Sequence, residues 1–420
     1  MGAHYHIAII GGGIAGCALL YQLSKSGCDN IVLLEKGELT SGSTWHAAGN
    51  IPLYMGGHTL TGLHKASLHF YETFAKQTKK NIGLHRCGSL KLATDATEAR
   101  AQKDYRAIAK SVGINFEVIN PDEVLRRFPY VSVNDVLSAA LTPDDGHVDP
   151  ASLTMALAAA SRKNGATVLR HKPVLAIERY QNGYWRLISN DDSITAKHVV
   201  NAAGLHSREI AEMFGHKIPV VPMERQYLIT EPLPELAQLP HELPVLRDAA
   251  APLYIRQEGS AMLLGLYDSK PVFWAIEGTP PDFDQELLPA NLERVGDALR
   301  NAMRRLPVLQ TLGIKKVVNG PLLRTPDACP LIGPVAGLSN VWLNTGYFAG
   351  IAQAGGAAAI LCRWLLTGDP GDDVSAIVAD RFGNNVSTTD TMRITCEAYE
   401  QELGQVIDGT RVAPIKSHGG

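Results

Sequence analysis

Charge of either sign is nearly absent in excess: 39 Lys and Arg against 42 Asp and Glu leave a formal net charge of −3 over 420 residues. General binders of nucleic acid or anionic membranes need a basic footprint, so both classes are excluded. Cysteine is sparse, and the six at 17, 28, 87, 329, 362 and 396 never fall in a Cys-x-x-Cys spacing. That excludes a disulfide framework and a zinc ribbon, and it predicts reduced thiols in a cytoplasm-like compartment. The nearest approach to a membrane span, 349–366, is interrupted by Gln353, Gly355, Gly356 and Arg363. A spanning helix needs about 20 predominantly apolar residues, so a buried helix is expected there and no membrane span. Regular patterning begins within five residues of Met1, which leaves no room for a signal or transit peptide. After Met1-Gly2, position 6 is His6 and not the Ser or Thr that myristoylation asks for. There is no Gly-x-Ser-x-Gly elbow, Walker loop or His-Glu-x-x-His helix. The pairs His4/His6 and His64/His69 have no third ligand beside them, so no metal is expected.

What is present begins at residue 6. The apolar run His6-Ile7-Ala8-Ile9-Ile10 leads into Gly11-Gly12-Gly13-Ile14-Ala15-Gly16, and Ala15, Leu19, Leu20 and Leu23 then recur at helical spacing. Strand, glycine loop and helix together are the setting in which such glycines bind a dinucleotide. Gly11 supplies the tight turn, Gly13 the bare backbone against the pyrophosphate, and Gly16 the close helix-to-sheet contact. The helix start, at Ile14, offers free N–H groups to the phosphates. A second strand, Ile31-Val32-Leu33-Leu34, ends at Glu35, nineteen residues past Gly16 and next to Lys36. Its carboxylate is placed to accept from an adenosine ribose. At this point nicotinamide and flavin dinucleotides both remain open.

Further along, helices are expected at 60–80, 96–112, 121–128, 151–164 and 287–305, and strands at 89–93, 168–169, 185–188, 198–201 and 261–265. Small residues at the end of Val199-Val200-Asn201-Ala202-Ala203-Gly204 let a cofactor lie against the backbone. The segment Asn344-Thr345-Gly346-Tyr347-Phe348-Ala349-Gly350 leads through Ile351 into the small-residue helix, whose N-terminus can face a ligand that gains negative charge. The expected architecture is α/β, α+β overall. A Rossmann-like domain is discontinuous over 1–90, 146–219 and 320–370; an antiparallel-sheet substrate domain comprises 91–145 and 220–319; a polar tail covers 371–420.

The chain resembles the D-amino-acid-oxidase-like FAD-dependent oxidoreductases, and among them the flavin domain of dimethylglycine and sarcosine dehydrogenases. The residues that carry the likeness are Gly11 to Gly16, Ser43-Thr44-Trp45-His46-Ala47-Ala48-Gly49, Cys87-Gly88-Ser89-Leu90, Val200 to Gly204, Leu243-Pro244-Val245-Leu246-Arg247-Asp248, and Thr325-Pro326-Asp327 with Pro330 to Gly333. They run from about residue 5 to 370. The resemblance implies FAD, with His46 joined covalently to the 8α carbon of the ring, and a role for Ser43 and Thr44 beside it. A neutral imidazole is a competent nucleophile for that bond, whereas an amide or hydroxyl is a poorer one.

Two departures matter. Where the family carries His-Gln-Tyr, with its histidine near the substrate amine, this chain has Arg225-Gln226-Tyr227. An arginine cannot act as a base, but its fork can clamp a carboxylate. Arg324, beside Thr325-Pro326-Asp327, is a second candidate clamp, and Tyr254 matches a family tyrosine that faces the substrate. The fifty residues that remain are too few for the folate-binding domain of longer relatives at typical domain sizes, so no counterpart of it is expected among them. The expected activity is oxidation of a secondary or tertiary amine by hydride transfer to flavin, with formaldehyde released if a methyl group is oxidised. Oxygen, a quinone or an electron-transfer flavoprotein is the acceptor. A cyclic imino-acid or opine-type oxidase, and a flavin subunit of a larger amine-oxidising complex, are the alternatives.

Overall fold

The computed structural model describes residues 3–55, 57–190, 192–248, 250–383 and 386–408, with side chains as far as residue 400. Met1-Gly2 and the end of the expected tail, 409–420, lie outside the described residues. The first sheet has the spatial order Leu331–Pro334, Val341–Thr345, Ser193–Asn201, His4–Ile10, Ile31–Leu34, Thr167–Leu169, with the hairpin Ala176–Arg179 and Trp185–Ile188 added to Ser193–Asn201. His4–Ile10 runs parallel to both neighbours, with Ile10 opposite Asn201 on one side and Leu34 on the other. Alternation sends Ile7 and Ile9 into one core with Leu19 and Leu23, and Ala8 and Ile10 into the opposite core with Leu205 and Phe214. A strand buried on both faces reads as an unbroken apolar run, as this one does.

The helix Gly350–Thr367 packs on Ile14–Lys25 and on His58–Thr78. A Cβ at Gly356 would lie 2.5 Å from the Leu63 carbonyl oxygen, and one at Gly355 would lie 2.9 Å from Ser67 Cα. These two glycines therefore serve helix contact at backbone distance. Among the described residues no helix is long and apolar enough to cross a membrane.

The second sheet has the order Ile314–Arg324, Val221–Thr230, Ala261–Leu266, Leu253–Glu258, Val245–Asp248, Ser89–Ala93, Ser138–Thr142, Glu117–Ile119. It is antiparallel except for Val245–Asp248 against Ser89–Ala93. The sequence positions 90 and 320 both fall inside strands of this sheet.

Two expectations are corrected. The helix expected at 287–305 begins only at Gly296, after one 3-10 turn at Glu293–Val295. Pro289 biases Leu288 toward extended backbone, and the Leu288 N–H donates to the Asn319 carbonyl at 2.7 Å. The segment 371–420 is no mere polar tail: it contains the helix Thr388–Asp408, which carries the fully buried Tyr399 into the lining of the cavity beside Arg225.

Candidate active site

The glycine loop sits at the C-terminal end of the central strand, where the chain crosses to opposite sides of the sheet, the usual ligand crevice of such sheets. Gly11 has φ +115°, and a Cβ there would lie 2.3 Å from the Ala202 carbonyl oxygen. At Gly16 a Cβ would lie 2.0 Å from the Gly11 oxygen. Ile14 opens the helix and donates its N–H to Thr44 Oγ1 at 3.1 Å, and the same hydroxyl lies 3.0 Å from an ideal Cβ on Gly13. The helix therefore presents its first turn and the Thr44 hydroxyl to the cavity together, with Ala15 lining beside them.

Glu35 is buried, and both oxygens accept from backbone: Oε2 from Gly12 N–H at 2.6 Å and Oε1 from Gly37 N–H at 2.9 Å. Burial raises its pKa, with the two N–H groups opposing. Asp284 stands next to it with Oδ1 buried and without a hydrogen bond. Lys36 donates to the carbonyls of Pro281 at 2.9 Å and Phe283 at 2.7 Å, which holds the segment bearing Asp284 over this end of the cavity. Ala203 and Gly204 line the same wall, Gly204 with φ +56°.

His46 lies where the two sheets meet. Ser43 Oγ donates to the Pro321 carbonyl at 2.7 Å, and Arg256 forks the Ala48 carbonyl at 3.2 and 3.1 Å, so the His46 segment is tied to the second sheet on both sides. A Cβ at Gly320 would lie 2.4 Å from His46 Cε1. Glycine is required there for the imidazole to lie against the strand. Burial lowers the His46 pKa to about 4, so the ring is neutral at pH 7. His64, fully enclosed, is likewise lowered to about 4 by burial. Both side chains take up protons in the unfolded chain at their ordinary pKa near 6.5 but not in the fold. Their contribution to stability is therefore present above pH 6.5 and lost as pH falls toward 4. The urea midpoint should drop over that window, and by less in His64→Gln.

The opposite wall is the face of the second sheet. Tyr254 lies flat across Gly265, where a Cβ would come within 2.0 Å of the tyrosine ring. Arg225 reaches the cavity two residues before Tyr227, which with Gly265 and Tyr254 forms one cross-strand row. Its guanidinium stacks 4.6 Å from the Tyr267 ring, 5.3 Å from Phe348 and 5.0 Å from Tyr399. Nη1 donates to the Tyr399 hydroxyl at 2.8 Å; Nη2 is buried without a hydrogen bond. Arg324 is fully buried, 4.7 Å from the Phe348 ring and 5.8 Å from the Tyr399 ring, and is not among the residues lining the cavity. Gly346 closes the cavity near Thr325 with φ +74°, and the helix from Gly350 follows with no side-chain cap and no acid in its first turn. Ile351, buried in that turn, accepts from the Tyr71 hydroxyl at 2.8 Å. The whole cavity measures about 1660 Å³, well above the 300–1,000 Å³ of ordinary ligand pockets.

The chain matches the family model for FAD dependent oxidoreductases over residues 6–364. It belongs to that family. The chain is 38% identical over 396 residues to dimethylglycine dehydrogenase, mitochondrial, of Mus musculus, a match that covers 93% of the chain and 46% of that protein. It is 31% identical over 392 residues to sarcosine dehydrogenase, mitochondrial, of Homo sapiens, covering 91% of the chain and 42% of that protein. The chain thus spans less than half the length of these curated relatives. A solved structure, L-proline dehydrogenase from P.horikoshii, shares the fold with TM-score 0.80 and 24% identity, over 91% of this chain and 98% of that one.

Several cavity residues of this oxidoreductase were not singled out from the sequence. Gly12, Asp284, Gly320, Tyr267, Phe348 and Tyr399 all line the site; Gly12 and Phe348 stood inside segments read from the sequence, and the other four come from parts of the chain far apart in sequence. Elsewhere, His85, His147 and Glu242 bring three ligand-type atoms within 4.8 Å of one another. Glu242 already bridges both imidazoles at 2.7 Å, a hydrogen-bonded clamp that sequence spacing does not show.

Proposed function

We propose that this chain oxidises a secondary or tertiary amine, an N-methyl amino acid of the dimethylglycine or sarcosine kind, with FAD tethered through His46. The observation that carries the reading is the meeting of two walls: the neutral His46 imidazole against Gly320, and beside it a sheet face presenting Arg225 and Tyr254. The names of the curated relatives support the amine class.

The residues fit FAD. Asp284 Oδ1 lacks a donor, which a ribose hydroxyl supplies, and the paired Glu35 and Asp284 carboxylates disfavour a 2′-phosphate in the same place. Ser43, Thr44 and the first turn at Ile14 suit a pyrophosphate, and the uncapped turn at Gly350 suits an electron-rich ring edge. Bound FAD supplies a two-electron acceptor that takes hydride from a C–H next to nitrogen.

The chain supplies the rest. Arg225 offers Nη2 to the substrate carboxylate while Tyr399 holds Nη1, and Arg324 braces the same aromatic cluster. Burial raises the Tyr254 pKa, so the phenol stays protonated and orients the substrate without taking its proton. A buried cation and a desolvated cavity disfavour the ammonium form, so the amine enters neutral without a dedicated base. Water then hydrolyses the iminium product, to formaldehyde and the shorter amine where a methyl group was oxidised. The electrons leave to oxygen, a quinone or an electron-transfer flavoprotein. The side of the first sheet holds the cofactor and the second sheet the amine. The cysteines of the described residues form no disulfide with one another, which supports a reducing compartment such as the cytoplasm.

Anaerobic mixing of the purified holoprotein with a panel of N-methyl and cyclic amino acids tests the reading. Bleaching of the flavin by N-methyl compounds, with stoichiometric formaldehyde, is the expected result. Bleaching by cyclic imino acids alone, without formaldehyde, would sink it.

A further inference from the structure

The same sheet face carries a second cationic group. Val245–Asp248 and Ser89–Ala93 pair in parallel with Arg247 opposite Lys91, and Arg247 is also the cross-strand partner of Tyr254. Lys91, Arg247 and Tyr254 therefore form one row across three neighbouring strands, and all three line the cavity. Like charges directly opposite in a sheet repel and destabilise the pairing. Neither cation has a hydrogen bond or ion pair to any described carboxylate. Lys91 instead sits 4.7 Å over the Tyr54 ring.

Of the nearby acids, Asp145 and Asp248 hold hydrogen bonds of their own, while Glu98, with Oε1 buried and unbonded, pulls on Lys91. Glu98 accepts from Thr94 N–H at 2.7 Å through Oε2, and burial raises its pKa. Asp145 accepts from Leu53 N–H at 2.9 Å through one oxygen and from Ser89 Oγ at 2.5 Å through the other. Asp248, on the other face of its strand, pairs with Arg305 at 2.5 Å. Burial, then Arg247, lowers the Lys91 pKa to about 8, against the opposing pull of Glu98. His64 Nε2, also buried and without a hydrogen bond, faces the same end of the cavity. Two cations side by side on the cavity wall, neither hydrogen-bonded to a described carboxylate, offer a binding site for an anion.

We propose that Lys91 and Arg247 form a second carboxylate subsite, and that the amine substrate is a diacid, with one acid group on Arg225 and the other on this pair. The inference rests on the amine reading above and narrows its substrate class. Arg225 and Arg247 stand three strands apart on one face, roughly 15 Å between backbones at about 4.8 Å per strand. Both side chains line the cavity, which Tyr254 and Tyr267 also line, their rings meeting edge-on at 6.2 Å. An N-substituted amino diacid bridges that gap with its nitrogen over the tyrosines, whereas an amine with one acid group leaves one cation site uncompensated.

The test compares N-methylglutamate with N-methylglutamine, which differ in the charge of one terminal group, in anaerobic flavin reduction by the holoprotein. The diacid is expected to have at least a tenfold higher ratio of reduction rate to dissociation constant. That preference should fall toward one in Arg247→Gln and in Lys91→Met, and largely return in Arg247→Lys. A ratio near one in the parent, or a ratio that survives in both neutral variants, overturns the subsite. If no amine bleaches the flavin, the amine reading itself has failed, and glutarate then decides the subsite alone. Its perturbation of the flavin spectrum should weaken tenfold in Arg247→Gln; equal affinity for parent and variant rejects the site.

Discussion

The His46→Ala protein should release its flavin into the supernatant when precipitated with acid, whereas the parent keeps its yellow colour in the pellet. The tether needs an unprotonated imidazole held against the ring, and both conditions follow from position. Burial keeps the His46 pKa near 4, so at pH 7 only about one ring in a thousand is protonated. Attachment should accordingly proceed at nearly the same rate from pH 8 down to pH 5 and fall to about half near pH 4. A solvent-exposed histidine would already lose half its nucleophilic form near pH 6.5. Gly320→Ala approaches the same result from the facing strand, because its Cβ would occupy space 2.4 Å from His46 Cε1. That variant should keep His46 yet lose acid-stable flavin. Acid-stable colour in His46→Ala would show that another residue carries the bond, or that retention is not covalent.

What the sequence made legible were the parts set by short-range sterics. Gly11, Gly13 and Gly16 could be read because the strand, loop and helix around them follow from local periodicities, although the contact that closes on Gly11 comes from the distant Ala202. His46 needed the segment around it, since an isolated histidine reports nothing about a partner. The parts that were not legible are those where distant strands supply the contact. Gly320 is unremarkable until the strand Ile314–Arg324 brings it over His46, and the Lys91–Arg247 pair exists only through the register of two strands far apart in the chain. Tyr399 was passed over because its helix is polar enough to read as a tail. Pro289 lies inside the apolar spacing that predicts a helix from 287, and its restriction of the backbone at Leu288 overrides that spacing.

Arg225→Ala should raise the substrate dissociation constant by roughly two to three orders of magnitude, read from the concentration dependence of anaerobic flavin reduction. Truncating one partner of a desolvated charge pair costs about 2–5 kcal/mol, at 1.4 kcal/mol per factor of ten. The geometry explains why the loss should fall on binding. Nη1 is held by Tyr399, whose own hydroxyl donates to the Asp268 carbonyl at 2.9 Å. The guanidinium is thus positioned before the substrate arrives, with Nη2 left for the carboxylate. Arg225→Lys keeps the charge but loses the fork and the stacking on Tyr267, so it should recover part of the affinity. Tyr399→Phe keeps the arginine and removes only its anchor, so its loss should be smaller, and confined to affinity with the limiting reduction rate retained. A limiting rate that collapsed in Arg225→Ala while affinity held would instead assign the arginine to the chemical step, and the carboxylate would then belong to Arg247 and Lys91.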